Sequence, residues 1–505
     1  MAGVTRPPEP IDRRAFLAGA GALGLALAAG PGTSQAVSGK RAVLSAHSAP
    51  RTLRQAMRGP IFNHGAPGYT VAAEVYNERF DFVRPTAVAR PLAAADVQGA
   101  VSWAVAHDVK LRARSGGHSY AGYSTIPGGV VLDLRNLRSI SVNRRARTAT
   151  IGAGAQLIDV YRALAAHGIT IPAGSCPSVG IGGHALGGGM GLAGRGFGLT
   201  TDNLLAARIV TADGRLRVVN RHTDPDLLWA LRGGGGGNFG IVTELQFRVH
   251  QIPRQSSWFE VFWPWSSASE AIAAWQAWAP HARDQLSSVF HLETGLHAPR
   301  VLVAGQYLGP AADLGGLLAP MRAVPGAQVF SGNQDYLGLM VRWANCSTRS
   351  VAGCHTVGTR PGGMLERASF NAKSDYVTKP LPRRGRAALI SAIEIRQGQS
   401  GSGAILFDSY GGAINRVGPS ATAFVHRRTL YCIQYLAYGG GGPWLGQTHG
   451  RMRPYVSGMA YQNYIDPLQP HWQRAYYGAN YKRLESIRLR VDPEHRFNFP
   501  QAIGR

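Results

Sequence analysis

Between about residues 51 and 250, short apolar runs alternate with glycine-rich turns. Runs at 130–134, 149–151 and 206–211 have the length and β-branched content of strands, whereas 94–107 and 156–167 carry apolar residues at helical spacing. Asp213-Gly214 between two apolar runs predicts a hairpin. Asp224-Pro225-Asp226 opens a helix that ends at the glycine run 233–237, and 240–247 closes the region as a strand. From about 253 to 450 the texture changes and predicts a second lobe. A tryptophan-rich strand is expected at 257–265, and a helix at 267–278 with Ser267 and Glu270 at capping-box spacing. Strands are expected at 404–410 and 430–436, a break at 439–443, one helix over 472–490 and a compact tail over 490–499. No internal repeat occurs, and the mixture predicts an α+β protein.

Composition narrows this further. Hydrophobic residues are 45% and charged residues 16% of 505, against a usual charged share of about 25%, which excludes a chain held open by its own charge. Glycine is the outlier, 65 in 505 or about 13% where about 7% is usual. It is clustered, not periodic, so the clusters need local explanations.

The net charge is +25, and of the 53 basic residues only Lys40, Lys110, Lys373, Lys379 and Lys482 are lysines, which leaves 48 arginines. Such a balance fits an anionic partner, nucleic acid or a polyanionic glycan. The arginines are scattered singly, however, and only Arg383, Arg384 and Arg386 cluster, which favours an arginine-rich solvated surface.

The N-terminus carries Asp12-Arg13-Arg14-Ala-Phe16, an apolar run to Gly30 and a small-residue site at Ser34-Gln35-Ala36. That is the layout of a twin-arginine signal peptide over 1–36, with an uncleaved anchor as the alternative. It predicts a protein secreted, or released to the periplasm or cell exterior, often with a cofactor already bound, and without stable membrane association. Four cysteines form no C-x-x-C, which argues against zinc ribbons and thioredoxin-type sites. Cys346 and Cys354 are either a small disulfide loop or two buried thiols.

Two segments carry candidate chemistry. Arg112-Ala-Arg114-Ser115-Gly116-Gly117-His118-Ser119-Tyr120 follows a helix and a short strand, and its glycines let backbone N–H groups converge on diphosphate oxygens. Some 60 residues later comes Gly174-Ser-Cys176-Pro-Ser-Val179-Gly180-Ile-Gly182-Gly183-His184, running on to Gly187-Gly-Gly-Met190-Gly191. Gly180-x-Gly182-x-x-Ala185 imitates a dinucleotide fingerprint, yet no strand leads into it, so a Rossmann site is not expected. A thiol at Cys176 and an imidazole at His118 are both nucleophiles able to attack an electrophilic ring.

These segments, with Gly198-Leu-Thr-Thr-Asp202-Asn203, Arg232 to Gly240, Ala460-Tyr461-Gln-Asn463-Tyr464-Ile-Asp466 and Tyr477-Gly-Ala-Asn-Tyr-Lys-Arg-Leu484, resemble the berberine bridge enzyme-like flavoproteins over about 70–505. The resemblance implies a two-lobed FAD-binding fold of the vanillyl-alcohol-oxidase type with an antiparallel-sheet substrate domain. It divides the chain into an FAD-binding domain at 70–252, a substrate-binding domain at 253–450 and a C-terminal segment at 451–505 that returns to the FAD domain. It implies FAD bonded through His118 and Cys176. The cofactor-binding set is then Arg114, Ser115, Gly116, Gly117, Ser119, Tyr120, Gly180, Gly182, Gly183 and His184 at the diphosphate and ring, Asp202 stabilising its loop, Ile241 near the adenosine part, and Tyr461 and Asn463 beside the flavin. Tyr464 becomes the general base, and its pKa near 10 calls for a neighbouring cation or a hydrogen-bonded setting. Val179 favours oxygen access. Met190 stands where members place a tyrosine, so a second catalytic tyrosine is not implied.

The function so implied is an FAD-dependent oxidase. It oxidises an alcohol or hemiacetal of a saccharide or secondary metabolite by hydride transfer to flavin N5, reducing oxygen to hydrogen peroxide. Its partners are a small-molecule substrate and molecular oxygen, with no nucleic acid and no metal. The alternatives are a dehydrogenase with another electron acceptor, and a secreted basic binder of glycans or nucleic acid. Trp258, Trp263, Trp265 and Trp343 are either sugar-stacking surfaces or core.

Overall fold

The computed structural model describes residues 51–505; the twin-arginine segment and the 1–36 signal region lie outside the described residues. A four-stranded sheet comes first, in the order Ile61–Asn63, Ala87–Ala89, Val130–Asp133, Leu111–Arg114. Its last two pairings are parallel, and parallel neighbours need a crossover. The helix Ala94–Ala106 supplies it, burying Val97, Ala100, Val101 and Ala104 at the spacing of one helical face. Gly99 lies on this helix because a Cβ there would fall 1.9 Å from the Ala56 carbonyl oxygen.

An antiparallel five-stranded sheet follows, ordered Ile140–Asn143, Thr148–Gly152, Ile241–Arg248, Leu204–Val210, Leu216–Asn220. The Asp213-Gly214 turn joins its last two strands, with Gly214 at φ +73°. Asp224 caps the helix Pro225–Leu231 by accepting from the Leu227 N–H.

The third sheet has seven strands, in the order Gln328–Asn333, Ser257–Trp263, Arg300–Tyr307, Leu286–Glu293, Ser402–Ser409, Tyr431–Tyr438, Phe370–Val377, each antiparallel to its neighbour. Side chains alternate across it. Phe290, Leu292, Ile405, Phe407, Tyr431, Ile433 and Tyr435 pack into one core with Trp275 of the helix Ala268–Trp278 and Leu389 of the helix Arg383–Gln397. Val289, His291, Glu293, Leu406, Asp408, Gln434 and Leu436 point the other way, into a cavity. The final segment packs Tyr476, Tyr477, Leu484, Ile487, Val491, Phe497 and Ile503 into the core of the first two sheets.

Three expectations need correction. Ser267 precedes the helix Ala268–Trp278, but its hydroxyl donates to the Pro325 carbonyl at 2.9 Å and forms no capping box. The single helix expected at 472–490 is two, Trp472–Tyr477 and Tyr481–Val491. Gly478, at φ +49°, breaks it, and the Asn480 amide turns to donate to the carbonyls of Pro419, Thr422 and Ala423. The glycine break at 439–441 leads into an unforeseen helix, Gly442–Met452, with Pro443 in its first turn. Cys346 and Cys354 are joined as a disulfide, with Cα atoms 5.9 Å apart. No helix among the described residues is long and apolar enough to cross a membrane.

Candidate active site

The inward face of the seven-stranded sheet and both glycine-rich loops enclose a cavity of about 550 Å³. The loops touch: a Cβ on Gly116 would lie 2.2 Å from the Gly180 nitrogen, and one on Gly180 would lie 2.0 Å from the Ser115 hydroxyl oxygen. Only glycine permits that approach. Gly183 has no atom within 4 Å of its Cβ position, so its backbone is open to whatever fills the cavity. The Ser115 hydroxyl donates to the Ala153 carbonyl at 2.5 Å and fixes the first loop.

His118 and Cys176 both line this space. His118 Nε2 is 3.0 Å from the hydroxyl of Ser178, two residues beyond Cys176, and the Tyr76 ring stacks on the imidazole at 4.1 Å. Burial pushes the His118 pKa down to about 3, against a small upward pull from Ser178. The imidazole is therefore neutral and nucleophilic at physiological pH. Cys176 is half-buried and lines the same cavity. His184 is neutral for the same reason, its pKa lowered to about 4 by burial, and its Nε2 accepts from the Gly174 N–H.

Tyr464 enters from the last segment, on the short turn Gln462–Tyr464. Its ring stacks on Tyr120 at 5.4 Å and meets Tyr461 edge-on at 4.8 Å. Tyr461 holds the next loop, accepting from the N–H groups of Gly189 and Met190 and from the Asn463 amide. Asn463 also donates to the His184 carbonyl, so the C-terminal segment clamps the second glycine loop.

The Tyr464 hydroxyl donates to Asp408 Oδ2 at 3.2 Å. Burial pushes the Asp408 pKa up to about 7, with the Tyr464 hydrogen bond and His291 pulling it back. Burial raises Tyr464 well above the ordinary phenol range, and the Asp408 charge raises it further. The neighbour of Tyr464 is thus an acid, where a pKa-lowering cation was one of the settings anticipated.

Ser115, Gly116, Gly117, His118, Ser119, Tyr120, Cys176, Gly180, Gly182, Gly183, His184, Tyr461, Asn463 and Tyr464 all line the cavity. Arg114, Asp202 and Ile241 do not. The Arg114 guanidinium turns to Asp133 and the carbonyls of Ala72, Ala73 and Glu74, so it braces the loop base. Asp202 is gripped by Arg427 at 2.6 and 2.8 Å and accepts the Leu199 N–H, holding its own loop. Ile241 is buried between Gly240 and Val242, which do reach the cavity. Asp408, Gln434, Glu260, His291, Glu293 and Arg342 also line it and were not foreseen. Gln434 donates to the Tyr120 hydroxyl at 2.7 Å. The signal for Asp408 was present, since an acid interrupting an apolar strand is an anomaly. Of the four tryptophans, Trp343 lines the cavity, Trp263 is core, Trp265 donates to Glu394, and Trp258 stacks on Arg342 at 3.7 Å.

Two family profiles match: "FAD binding domain" over residues 85–220 and "Berberine and berberine like" over 460–504. The cavity and these matches define an FAD-linked oxidoreductase. An uncharacterized FAD-linked oxidoreductase of Bacillus subtilis, YgaK, is 34% identical over 424 residues, 81% of this chain and 88% of its own length. The solved structure of BBE-like 1 from Physcomitrella patens is 34% identical, with a TM-score of 0.82 over 90% of this chain and 99% of that one. Xylooligosaccharide oxidase from Myceliophthora thermophila, solved with xylobiose, is 28% identical, with a TM-score of 0.79 over 89% and 98%. The chain belongs to the berberine bridge enzyme-like family of FAD-linked oxidoreductases, and its two-lobed α+β architecture is that of the vanillyl-alcohol-oxidase-type flavoproteins.

Proposed function

We propose that this protein is an exported oxidase that carries FAD bonded to both His118 and Cys176. Its substrate is an alcohol or hemiacetal of a saccharide or hydroxylated secondary metabolite. The observation that carries the reading is the Tyr464–Asp408 pair facing the same cavity as His118 and Cys176. FAD, when bound, supplies a two-electron acceptor for the hydride on the alcohol carbon. The residues supply the rest. Glycine backbone and Ser115 to Tyr120 hold the cofactor, while the neutral His118 imidazole and Cys176 are the nucleophiles for its attachment.

Oxidation of an alcohol also releases the hydroxyl proton. Tyr464, whose pKa rises instead of falling, is a poor base alone. Its hydroxyl instead takes the substrate proton while passing its own to Asp408, which is anionic above about pH 7. Asp408 is the terminal acceptor and Tyr464 the relay. The polar wall of Glu260, His291, Glu293 and Gln434 beside Trp343 suits a polyhydroxylated substrate, and the xylobiose bound to the Myceliophthora relative supports a saccharide. Val179, a small residue on the Cys176 turn, supports oxygen as acceptor.

Acid precipitation and intact-mass measurement test the tethers. Flavin colour should stay with the precipitated chain and persist in either single variant, His118→Ala or Cys176→Ala, but wash out of the double variant. Colour released from the parent chain rejects both bonds. Oxygen uptake with cellobiose, xylobiose and aromatic alcohols tests the substrate class, and reduced enzyme that air does not reoxidise points to another acceptor.

A further inference from the structure

A second cavity, of about 260 Å³, shares Tyr76 and residues 115–117 with the cofactor cavity. This is far above the ~10–15 Å³ that one water needs. Arg90, Arg114, Arg135, Arg138, Arg360 and Arg367 line it, and none of the six borders the larger cavity.

Their partners are too few. Asp133, fully buried, is shared by Arg114 at 3.1 Å, Arg135 at 2.6 Å and Arg90 at 3.3 Å. Asp159 serves Arg360 at 2.9 Å together with His355 at 3.1 Å and Arg162 at 3.7 Å. Arg367 pairs with Asp81 at 2.6 Å and lies 3.7 Å from Glu74. Four carboxylates thus answer the six lining guanidiniums, and Arg162 competes for one of them.

Each guanidinium carries five N–H donors, more than a shared carboxylate can accept. Backbone carbonyls take some of the remainder, those of Ala72, Ala73 and Glu74 from Arg114, Thr359 from Arg135 and Val75 from Arg367, but among the described residues none is seen taking a donor from Arg138 or Arg360. Arg138 stands exposed at the rim. Gln156 lines the cavity with its amide oxygen buried and without a partner. Turned over, that amide presents its NH2 group to the cavity instead. A concave, cation-rich wall with unspent donors is the chemistry of oxyanion capture, for which the planar arginine fork is well matched.

We propose that this second cavity is an anion site, separate from the cofactor site, that takes a compact multivalent oxyanion through Arg135, Arg138 and Arg360. Phosphate esters and polycarboxylates share that chemistry. Because residues 115–117 wall both cavities, the ligand sits against the loop that leads into His118.

Calorimetric titration of the flavin-loaded holoenzyme, in phosphate-free buffer of low ionic strength, tests the site. Inorganic phosphate and citrate are titrated separately. One saturable event per chain is expected with at least one of them, weakening as sodium chloride is added. Binding of phosphate alone assigns a phosphoryl ligand, and binding of citrate alone a carboxylate ligand. Arg135→Gln/Arg138→Gln is expected to weaken binding by about tenfold or more, with melting and flavin absorbance confirming the fold. Should that pair unfold, the exposed-site variant Arg138→Gln carries the test, with a loss of about threefold expected. No saturable heat up to about 10 mM of either anion, or unchanged binding in the folded variant, overturns the proposal.

Discussion

The Tyr464 hydroxyl donates to the carboxylate of Asp408 at 3.2 Å, joining a C-terminal turn to a strand of the seven-stranded sheet. The two residues are 56 positions apart in sequence, and neither segment alone makes a base. Burial raises both pKa values, but from different starting points, so the carboxyl arrives near neutrality while the phenol moves out of range. A proton leaving the substrate therefore has its thermodynamic destination at Asp408.

The pH profile follows from that destination. With the Asp408 pKa at about 7, the carboxylate fraction rises roughly tenfold between pH 6 and pH 8. Flavin reduction measured anaerobically by stopped flow should rise with it. Asp408→Asn should flatten this limb and lower the rate by about 10²–10⁴-fold. A variant that keeps the parent profile assigns the titration elsewhere. Stability should move oppositely. The folded pKa lies above the ordinary 3.8, so the buried charge costs stability increasingly as pH climbs from about 4 to 7. Asp408→Asn should therefore melt at a higher temperature than the parent at pH 8 and differ little at pH 4.

If Tyr464 and Asp408 form one relay, their losses do not add. Tyr464→Phe is expected to cost on the order of 10²–10³-fold in flavin reduction, and the double variant Tyr464→Phe/Asp408→Asn little more than the worse single change. Multiplying losses would show two independent roles.

Much of this architecture was legible in the chain. The paired glycine loops were visible because close backbone contact excludes every other residue, as the Gly116–Gly180 approach demonstrates. Strands 204–210 and 241–248 and the Asp213-Gly214 turn carry local signals that tertiary packing did not override. A lone glycine does not by itself end a helix; the break at Gly478 was hidden because the turn it makes is held by Asn480 reaching carbonyls some 60 residues away. Asp408 stands in the sequence as an acid within an apolar strand, but its role comes from the register that sets Phe407 into the core and Asp408 into the cavity. Asp202 holds its own loop through Arg427 and the Leu199 N–H, the role its motif implies, while the Arg114 side chain turns from the loop it belongs to toward Asp133.

Val179 sits on the Cys176 turn, its N–H donating to the Cys176 carbonyl at 3.3 Å, and its side chain reaches the cavity. Enlarging it to isoleucine narrows the space open to oxygen beside that turn. Val179→Ile should slow reoxidation of the reduced enzyme by about tenfold, equivalent to ~1.4 kcal/mol in the barrier, while the anaerobic reduction step changes far less. Equal slowing of both half-reactions would indicate general damage to the site.

Asp202 and Arg427 form a bidentate pair at 2.6 and 2.8 Å with side-chain exposures of 7% and 0%. Arg427 also donates to the carbonyls of Phe424 and Ile414 and to the Thr422 hydroxyl, and Phe424 packs on Tyr461. Removing Asp202 leaves a guanidinium buried without its counter-charge, a loss of about 3–5 kcal/mol for such pairs. Asp202→Ala should lower holoenzyme stability by that amount in urea titration. Replacing both partners removes the stranded charge, so Asp202→Ala/Arg427→Met should recover part of the loss. A single-variant cost below about 1 kcal/mol, the range of exposed pairs, would mean that water reaches the guanidinium. The loop over 198–203 would then be held by its backbone bonds, by the Arg232 contacts to Thr201 and Asp202, and by the Thr200 and Asn203 side chains.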